Sequence, residues 1–287
     1  MIDINFFKKI RLLDGGMGQE LLARGLSSNS TLWSASAILD EKFHPLVRDT
    51  HIDFIKAGAE IIVTTTFATR QKRLKENNLQ DKFEYLNQKA GEIAVNAKKG
   101  FPNVFVAGGL PPQNLTYEAD ERDEKEIIGN FKDQARVLNP YVDFFYFDVW
   151  SSIKEVKCGI EAIKEFKKPY LVGIHISEGT NLPSGENISD LKNIITDKNL
   201  GVMLSCVSPE NFEKNLHELK NLNVPFGFKL NGFVTTKIKE GYTSVFLGKK
   251  TNPNEFLGKR KDLTPDKIAE IAKKFKDAGA TILGGCC

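Results

Sequence analysis

Three of the four cysteines stand where their thiols could bind a metal together. Cys206 ends one apolar stretch with the character of a buried strand, and Cys286 and Cys287 directly follow another. Adjacent cysteines are poor disulfide partners because the ring that they would close is strained, and Gly284–Gly285 lets the backbone turn both sulfurs to one side. Three thiolates form a zinc ligand set with one position open for a substrate. The sequence therefore predicts a zinc site at Cys206, Cys286 and Cys287.

Cys158 has a different setting from these three. It lies on the apolar side of a predicted helix, SIKEVKCGI, so we expect an ordinary core residue there. Four cysteines in 287 residues are too few for a disulfide scaffold. In a reducing compartment, a clustered set of thiols indicates metal binding or catalysis instead.

The elements that must position these thiols alternate between two types. Short stretches rich in β-branched and aromatic residues alternate with amphipathic segments that repeat apolar residues at spacings of three and four. This alternation is typical of βα units around a parallel sheet. Eight strands predict a single-domain α/β (β/α)8 TIM barrel over residues 1–287, with the three thiols at the carboxyl-terminal mouth. The predicted strands are 11–14, 60–66, 104–109, 143–148, 170–175, 201–206, 226–230 and 281–285.

A doubly wound sheet is the alternative fold, because it shares the βα alternation. No G-x-G-x-x-G motif follows any predicted strand, and the glycines of Asp14–Gly18 have the wrong spacing for a dinucleotide site. The barrel is therefore favoured. Since the sequence stops directly after the eighth predicted strand, the barrel is expected to lack its last helix.

Composition and charge exclude several classes of partner. The net charge of +3 arises from 40 basic and 37 acidic residues spread along the chain, without the concentrated basic stripe that nucleic acid requires. No apolar stretch approaches the roughly 20 residues of a membrane span, and the N-terminus lacks the order of a signal peptide. We expect a cytoplasmic protein, monomer or homo-oligomer, that acts on small molecules without a nucleic-acid or membrane partner.

Several motifs, taken in order, resemble those of one enzyme family. They are LLDGGMGQELLARG, LWS, HIDFIKAGAEIIVTTTF, GGLPP, SCVSPENF and GATILGGCC. From about residue 11 to the last residue, the chain resembles the homocysteine S-methyltransferases, zinc-dependent barrels related to betaine–homocysteine methyltransferase and to the homocysteine domain of methionine synthase. The cysteine pattern with its strand contexts is the most specific part of the resemblance.

The resemblance implies a reaction and an amino-acid site. Homocysteine would place its sulfur at the open zinc position, be deprotonated there, and take a methyl group from a sulfonium or ammonium donor to give methionine. Asp14 matches the family acid that receives the substrate ammonium group. Asp148 falls where relatives usually carry glutamate followed by threonine, so its carboxylate reaches one methylene less far. Ser205 replaces the asparagine that commonly precedes the first zinc cysteine.

Further residues at strand ends are candidates for substrate contacts. Thr65 at the end of strand two and Asn231 after strand seven are predicted substrate-binding residues. His175 is a less favoured candidate for a fourth metal ligand or for a contact with the donor. The methyl donor stays open, although a cationic donor would favour an aromatic lining. The segments 110–122 and 232–263 are the predicted lids. The candidate aromatic residues are Tyr117, Tyr146, Trp150 and Tyr242.

Two other functions compete with methyl transfer. Lys229, near the end of strand seven, could form a Schiff base as barrel aldolases do, since an apolar pocket lowers the pKa of a lysine. That function leaves the three cysteines unexplained. The second alternative is a degenerate barrel that binds zinc or a thiol without transferring a methyl group.

Overall fold

The computed structural model describes residues 2–27, 31–237 and 257–287. Its sheet has eight strands in the order β1-β8-β7-β6-β5-β4-β3-β2, and every paired strand is parallel to its neighbour. A parallel bridge between Leu13 and Ile61 joins the first strand to the second, so the sheet closes. The predicted TIM barrel is confirmed. The strands are β1 (Arg11–Leu12), β2 (Ile61–Val63), β3 (Phe105–Leu110), β4 (Phe144–Trp150), β5 (Tyr170–Ile174), β6 (Asn199–Val207), β7 (Phe226–Leu230) and β8 (Ile282–Gly285).

The α-helices of the described residues lie mainly between the strands. They are α1 (Ile4–Phe7), α2 (Met17–Ala23), α3 (Ala35–Leu39), α4 (His44–Lys56), α5 (Gln71–Lys75), α6 (Phe83–Ala97), α7 (Glu124–Leu138), α8 (Ile153–Ile163), α9 (Pro209–Lys214), α10 (Leu216–Asn221) and α11 (Pro265–Asp277). In this part of the chain, no helix has the length and apolar character needed to cross a membrane.

The crossover between β5 and β6 departs from the βα alternation predicted from the sequence. Where that alternation places an α-helix, the chain forms a 3-10 helix, Ile188–Asn193, which begins with a capping box between Asn187 and Asp190. The β-branched residues Ile194, Ile195 and Thr196 follow directly. Because β-branched side chains lose rotamer freedom against a preceding helical turn, this sequence does not extend the helix.

Two apolar layers hold the barrel together. Inside it, Phe144 and Tyr146 of β4 point into the lumen, while Phe145 and Phe147 point outward against the helices. The N-terminal helix α1 closes the end of the lumen where the strands begin, since the buried Phe7 packs edge-on against Phe144 with ring centroids 5.9 Å apart. Filling that end leaves the opposite mouth as the place for a site.

The outer face of β1 is less covered than the rest of the barrel. Leu12 in β1 is 38% exposed, and Ile10 just before it is 47% exposed.

Candidate active site

The three cysteines converge at the carboxyl-terminal mouth, as the sequence predicts. The sulfur atoms of Cys206, Cys286 and Cys287 all lie within 4.8 Å of one another, and no other such cluster of ligand side chains occurs within the described ranges. Cys206 is buried, and the other two are partly buried. Soft thiolate ligands in a set of three fit zinc with one position left for a further ligand. Cys158 instead packs in the outer apolar layer, which confirms the core role predicted for it.

A bulge in β6 directs Cys206 into the barrel. The register against β7 shifts between Ser205 and Val207, and Cys206 has a φ of +55°. Ser205 and Cys206 therefore both face inward, although successive strand residues normally alternate. The Asn231 side chain stabilises this strained backbone, because its Nδ2 donates to the Cys206 carbonyl at 2.5 Å.

The terminal cysteine pair is held by two neighbouring segments. The Cys286 amide donates to the Leu230 carbonyl at 2.7 Å, and the Gly232 amide donates to the Cys287 carbonyl at 2.6 Å. On the other side, a Cβ placed on Gly16 would come within 1.8 Å of the Cys286 carbonyl oxygen. Glycine at position 16 thus allows the loop after β1 to pack directly on the cysteine pair.

Hydrogen bonds to Cys206 favour its thiolate. Burial raises the pKa of Cys206, but hydrogen bonds from the other two thiols and from Tyr117 outweigh burial and hold that pKa well below its ordinary value. The Tyr117 hydroxyl lies 2.9 Å from the Cys206 sulfur. Hydrogen bonding to Cys206 raises the pKa of Cys286 and of Cys287, because the protons that they donate stabilise the first thiolate. Losing all three protons then requires a compensating cation such as a metal ion.

His175 lies beside this cluster without pointing at it. Its Nδ1 is 3.1 Å from the Ser205 carbonyl oxygen and its Nε2 is 2.7 Å from the Ser177 hydroxyl. Burial lowers the pKa of His175 to about 4, so the ring is neutral. Because both ring nitrogens have partners, the fourth-ligand role considered for His175 is wrong for this arrangement. The ring instead packs on Tyr117, with centroids 4.4 Å apart.

Two carboxylates and one ammonium group lie next to the thiols. Asp14, just after β1, accepts a hydrogen bond from the Val63 amide at 2.7 Å, and its other oxygen lies 3.6 Å from Lys229 Nζ. Asp148 faces the same pocket from β4, where Val149 has a φ of +69° and the register shifts. These three residues, Asp14, Asp148 and Lys229, are called the acid–lysine group below.

Burial determines how the acid–lysine group ionises. It raises the pKa of Asp14 to about 6 and that of Asp148 to about 6, although Lys229 opposes both shifts. Burial also lowers the pKa of Lys229, but the two carboxylates outweigh it and hold that pKa above its ordinary value. At neutral pH the group therefore holds two negative charges and one positive charge.

One pocket joins the thiols, the acid–lysine group and the wall formed after β2. Thr65 lines this pocket, and its hydroxyl oxygen lies 3.3 Å from Nε2 of the buried His51. Asn231 is not among the lining residues and lies behind Cys206. The remaining described lining residues include Gly15, Gly16, Met17, Gly18, Thr31, Trp33, Ser34, Val63, Thr64, Thr66, Phe67, Ala68, Arg70, Arg73, Thr116, Tyr117 and Val149.

The predicted aromatic lining is only partly realised. Tyr117 lines the pocket, and Tyr146 lies below it with its ring 5.5 Å from Lys229 Nζ. The prediction for Trp150 is wrong, because this side chain points outward and donates to the Leu110 carbonyl at 2.7 Å. Tyr242, with most of the predicted lid 232–263, lies outside the described residues. Thr116 and Tyr117 of the predicted lid 110–122 do reach the pocket.

Sequence reasoning missed Arg70, a buried cation in the pocket wall. Its Nη2 donates to the Thr116 hydroxyl at 3.1 Å, and its guanidinium carbon lies 5.5 Å from the Phe67 ring centroid. The available signal was a charged residue in the segment directly after β2. Residue type alone predicts an exposed arginine, since this side chain is seldom fully buried.

A closed barrel with a thiol trio and paired carboxylates at its mouth defines a class of metal-dependent α/β barrel enzyme. The homocysteine S-methyltransferase family model matches residues 11–287. The chain belongs to this family, which confirms the family and enzyme class predicted from the sequence.

Relatives with named activities match over most of the chain. Homocysteine S-methyltransferase 1 of Saccharomyces cerevisiae is 26% identical, over 97% of this chain and 90% of the relative. Selenocysteine methyltransferase of Astragalus bisulcatus is 22% identical, over 96% of this chain and 88% of the relative. S-methylmethionine–homocysteine S-methyltransferase BHMT2 of Pongo abelii is 27% identical, over 89% of this chain and 69% of the relative. The metallated crystal structure of the homocysteine methyltransferase MmuM from Escherichia coli superposes with a TM-score of 0.78, at 20% identity over 97% of this chain and 92% of MmuM, and shares its fold.

Proposed function

We propose that this chain transfers a methyl group from a sulfonium or ammonium donor to the thiol of homocysteine and so forms methionine. The observation that carries the proposal is the convergence of three thiols within 4.8 Å beside the acid–lysine group, in a barrel of this family. Cys206, Cys286 and Cys287 would hold a zinc ion. Zinc bound by three thiolates supplies the chemistry that deprotonates a thiol near neutral pH and keeps its sulfur nucleophilic.

In the transfer, a new bond forms between the acceptor sulfur and the methyl carbon. The bond from that carbon to the cationic sulfur or nitrogen of the donor breaks, and its electron pair leaves with the donor. The thiol proton goes to solvent. A positively charged leaving group becomes neutral, so the reaction needs no additional acid.

The chain's own residues would position the acceptor and limit access of water. Asp14 and Asp148 supply negative charge for an ammonium group, and the Thr65 hydroxyl is available on the facing wall. Trp33 and Phe67 give that wall an apolar surface, with ring centroids 6.0 Å apart. The substrate-binding role assigned to Asn231 stays a prediction, and its hydrogen bond to the Cys206 carbonyl supports a contribution through Cys206.

The donor is expected to be a small cation that reacts directly. S-methylmethionine is the first candidate, because it is named for one of the relatives. Apolar and aromatic walls beside buried carboxylates suit a methylated sulfonium group. We further infer that residues 1–287 act as one barrel domain, as a monomer or homo-oligomer. Cytoplasmic reducing conditions would keep the four free cysteines reduced.

The Schiff-base alternative is disfavoured by the charge state of Lys229. A nucleophilic lysine must be neutral, whereas Asp14 and Asp148 hold the pKa of Lys229 above its ordinary value. The lysine is therefore an ammonium group, and its role is to supply positive charge beside Asp14 and Asp148. A degenerate zinc-binding or thiol-binding barrel remains the competing function that the assay must separate.

The test is methionine formation by the zinc-loaded protein. The acceptor is homocysteine with deuterium on its carbon chain, so that methionine made from it differs in mass from methionine released by the donor. S-methylmethionine, S-adenosylmethionine, betaine and dimethylsulfoniopropionate are supplied separately. We expect labelled methionine with at least one donor and none with Cys206→Ser. Binding of homocysteine without labelled methionine from any donor would support the degenerate binder instead.

A further inference from the structure

Lys229 is a buried cation that the proposed chemistry does not itself require. It lies on β7, its side chain is 7% exposed, and it lines the same pocket as the three thiols. Nζ is 3.6 Å from Asp14 Oδ1 and 5.5 Å from the Tyr146 ring centroid. Burying a charge is costly unless other groups compensate for it, so its place in the pocket calls for a function.

The acid–lysine group puts charges of both signs in one pocket. Its carboxylates can receive an ammonium group, and its ammonium group can receive a carboxylate. An α-amino acid brings one ammonium and one carboxylate on the same carbon. The same pocket is lined by the complementary groups, a carboxylate at Asp148 and an ammonium at Lys229.

Lys229 also has donor capacity for a second partner. A lysine ammonium carries three N–H donors, and its ion pair with Asp14 involves one carboxylate oxygen. The two arginines of the pocket are committed elsewhere. Arg70 donates to the Thr116 hydroxyl and to the Phe67 carbonyl, and Arg73 pairs with Glu76 at 3.5 Å.

We propose that Lys229 binds the α-carboxylate of the acceptor thiol while Asp148 and Asp14 receive its α-ammonium group. Lys229 is thus a specificity-determining residue that selects free amino-acid thiols over thiols lacking a carboxylate. The inference rests on the proposed function for the identity of the site as the acceptor site. It concerns binding, so it can be measured without a methyl donor.

The experiment is calorimetric titration of the zinc-loaded protein with three thiols. L-homocysteine carries both groups, 4-mercaptobutanoate lacks the amino group, and 3-mercaptopropylamine lacks the carboxylate. The variants are Lys229→Met, which keeps most of the side-chain length and removes the charge, and Lys229→Arg, which keeps the charge. Zinc content and thermal unfolding are measured for each variant.

Loss of a hydrogen bond between charged groups raises the dissociation constant by about tenfold or more. In K229M, we expect weaker binding by that factor for homocysteine and 4-mercaptobutanoate. Binding of 3-mercaptopropylamine should be unchanged or tighter, because both carboxylates are then free of the lysine. K229R should keep the preference for carboxylate-bearing thiols. Equal losses for all three thiols, or no loss for any, would overturn the proposal and leave Lys229 as a counter-ion only.

A second measurement covers the case in which K229M fails to fold or to hold zinc. Native protein with 13C-labelled lysine is titrated with homocysteine and with 3-mercaptopropylamine, and K229R assigns the Lys229 signal. A shift of that signal with homocysteine alone supports the contact, and equal shifts contradict it. If these binding results hold but no labelled methionine forms, the proposed function fails and the binding inference stands. If methionine forms while the selectivity is absent, only the inference fails.

Discussion

The hydroxyl of Tyr117 lies 2.9 Å from the sulfur of Cys206, and both residues have a left-handed backbone. Tyr117 comes from the loop after β3, whereas Cys206 sits at the bulge of β6. Non-glycine residues adopt this conformation at a cost, which is common where a site demands it. The contact therefore connects two strained segments at the thiol cluster.

Tyr117→Phe should weaken zinc binding by about tenfold, because hydrogen-bonding partners of metal ligands typically contribute that much to affinity. Without the hydroxyl, the Cys206 thiolate loses a donor that lowers its pKa. Competition with a chromophoric chelator measures the effect. Tyr85→Phe is the matched control, since Tyr85 bonds Glu41 at the surface. Equal zinc affinity in native and Y117F protein would contradict this role.

Gly16→Ala should displace the loop after β1 from the cysteine pair. The added Cβ would lie 1.8 Å from the Cys286 carbonyl oxygen, a distance that forces backbone to move. We expect loss of zinc and an unfolding free energy lower by about 1–3 kcal/mol, as for overpacked sites. Equilibrium unfolding and metal analysis measure both quantities.

Gly129→Ala is the control for this substitution, because it lies within α7 and a Cβ there meets nothing within 4 Å. Exchanging a helical glycine for alanine should stabilise the protein by about 0.5–1 kcal/mol and leave the zinc in place. A G16A protein that keeps native stability and full zinc content would show that the loop packing is unimportant.

Asp148→Asn should raise stability above about pH 6 and not near pH 4, measured on metal-free, reduced protein. Burial raises the pKa of Asp148 from 3.8 to about 6 in the folded state. As pH rises between these values, the unfolded chain loses its proton first, so the folded state loses stability until the folded group has also ionised. Removing the carboxylate removes this penalty, on the order of 1–3 kcal/mol.

The same substitution should weaken homocysteine binding, so stability and affinity change in opposite directions. Asp81→Asn is the control, since Asp81 is 67% exposed and its replacement should change stability by less than about 0.5 kcal/mol at either pH. An Asp148→Asn protein that is less stable than native at high pH would show that the carboxylate is a net stabilising group.

Strand ends were the part of the site that sequence could predict. Each strand in a barrel delivers its last residues to one mouth, so Thr65 and the cysteines were assigned from their places in the chain. Asp14 was assigned from its match to the family acid at the end of the first strand. The bulges could not be predicted, because the apolar pattern assumes regular alternation. Asp148 faces inward by regular alternation, whereas the bulge in β4 turns Val149 inward as well and leaves Trp150 outside. This is why the aromatic prediction for Trp150 failed.

Charge balance was the other property that sequence left undetermined. Lys229 appeared as a possible nucleophile because apolar residues flank it in β7. Only the three-dimensional structure places Lys229 beside Asp14, a residue that lies near the other end of the sequence. Contacts between residues so far apart in sequence carry no local signal, and the same holds for the pairing of Tyr117 with Cys206.

Metal analysis under reducing conditions shows whether Cys206, Cys286 and Cys287 together hold one zinc ion. Native protein, Cys206→Ser and the control Cys158→Ala, whose cysteine lies in the outer core, are purified in parallel and measured by elemental analysis. We predict about one zinc per chain in the native and C158A proteins and a small fraction of that in C206S. A folded native protein that takes up no zinc, or a C206S protein that retains all of it, would contradict zinc binding by the three thiols.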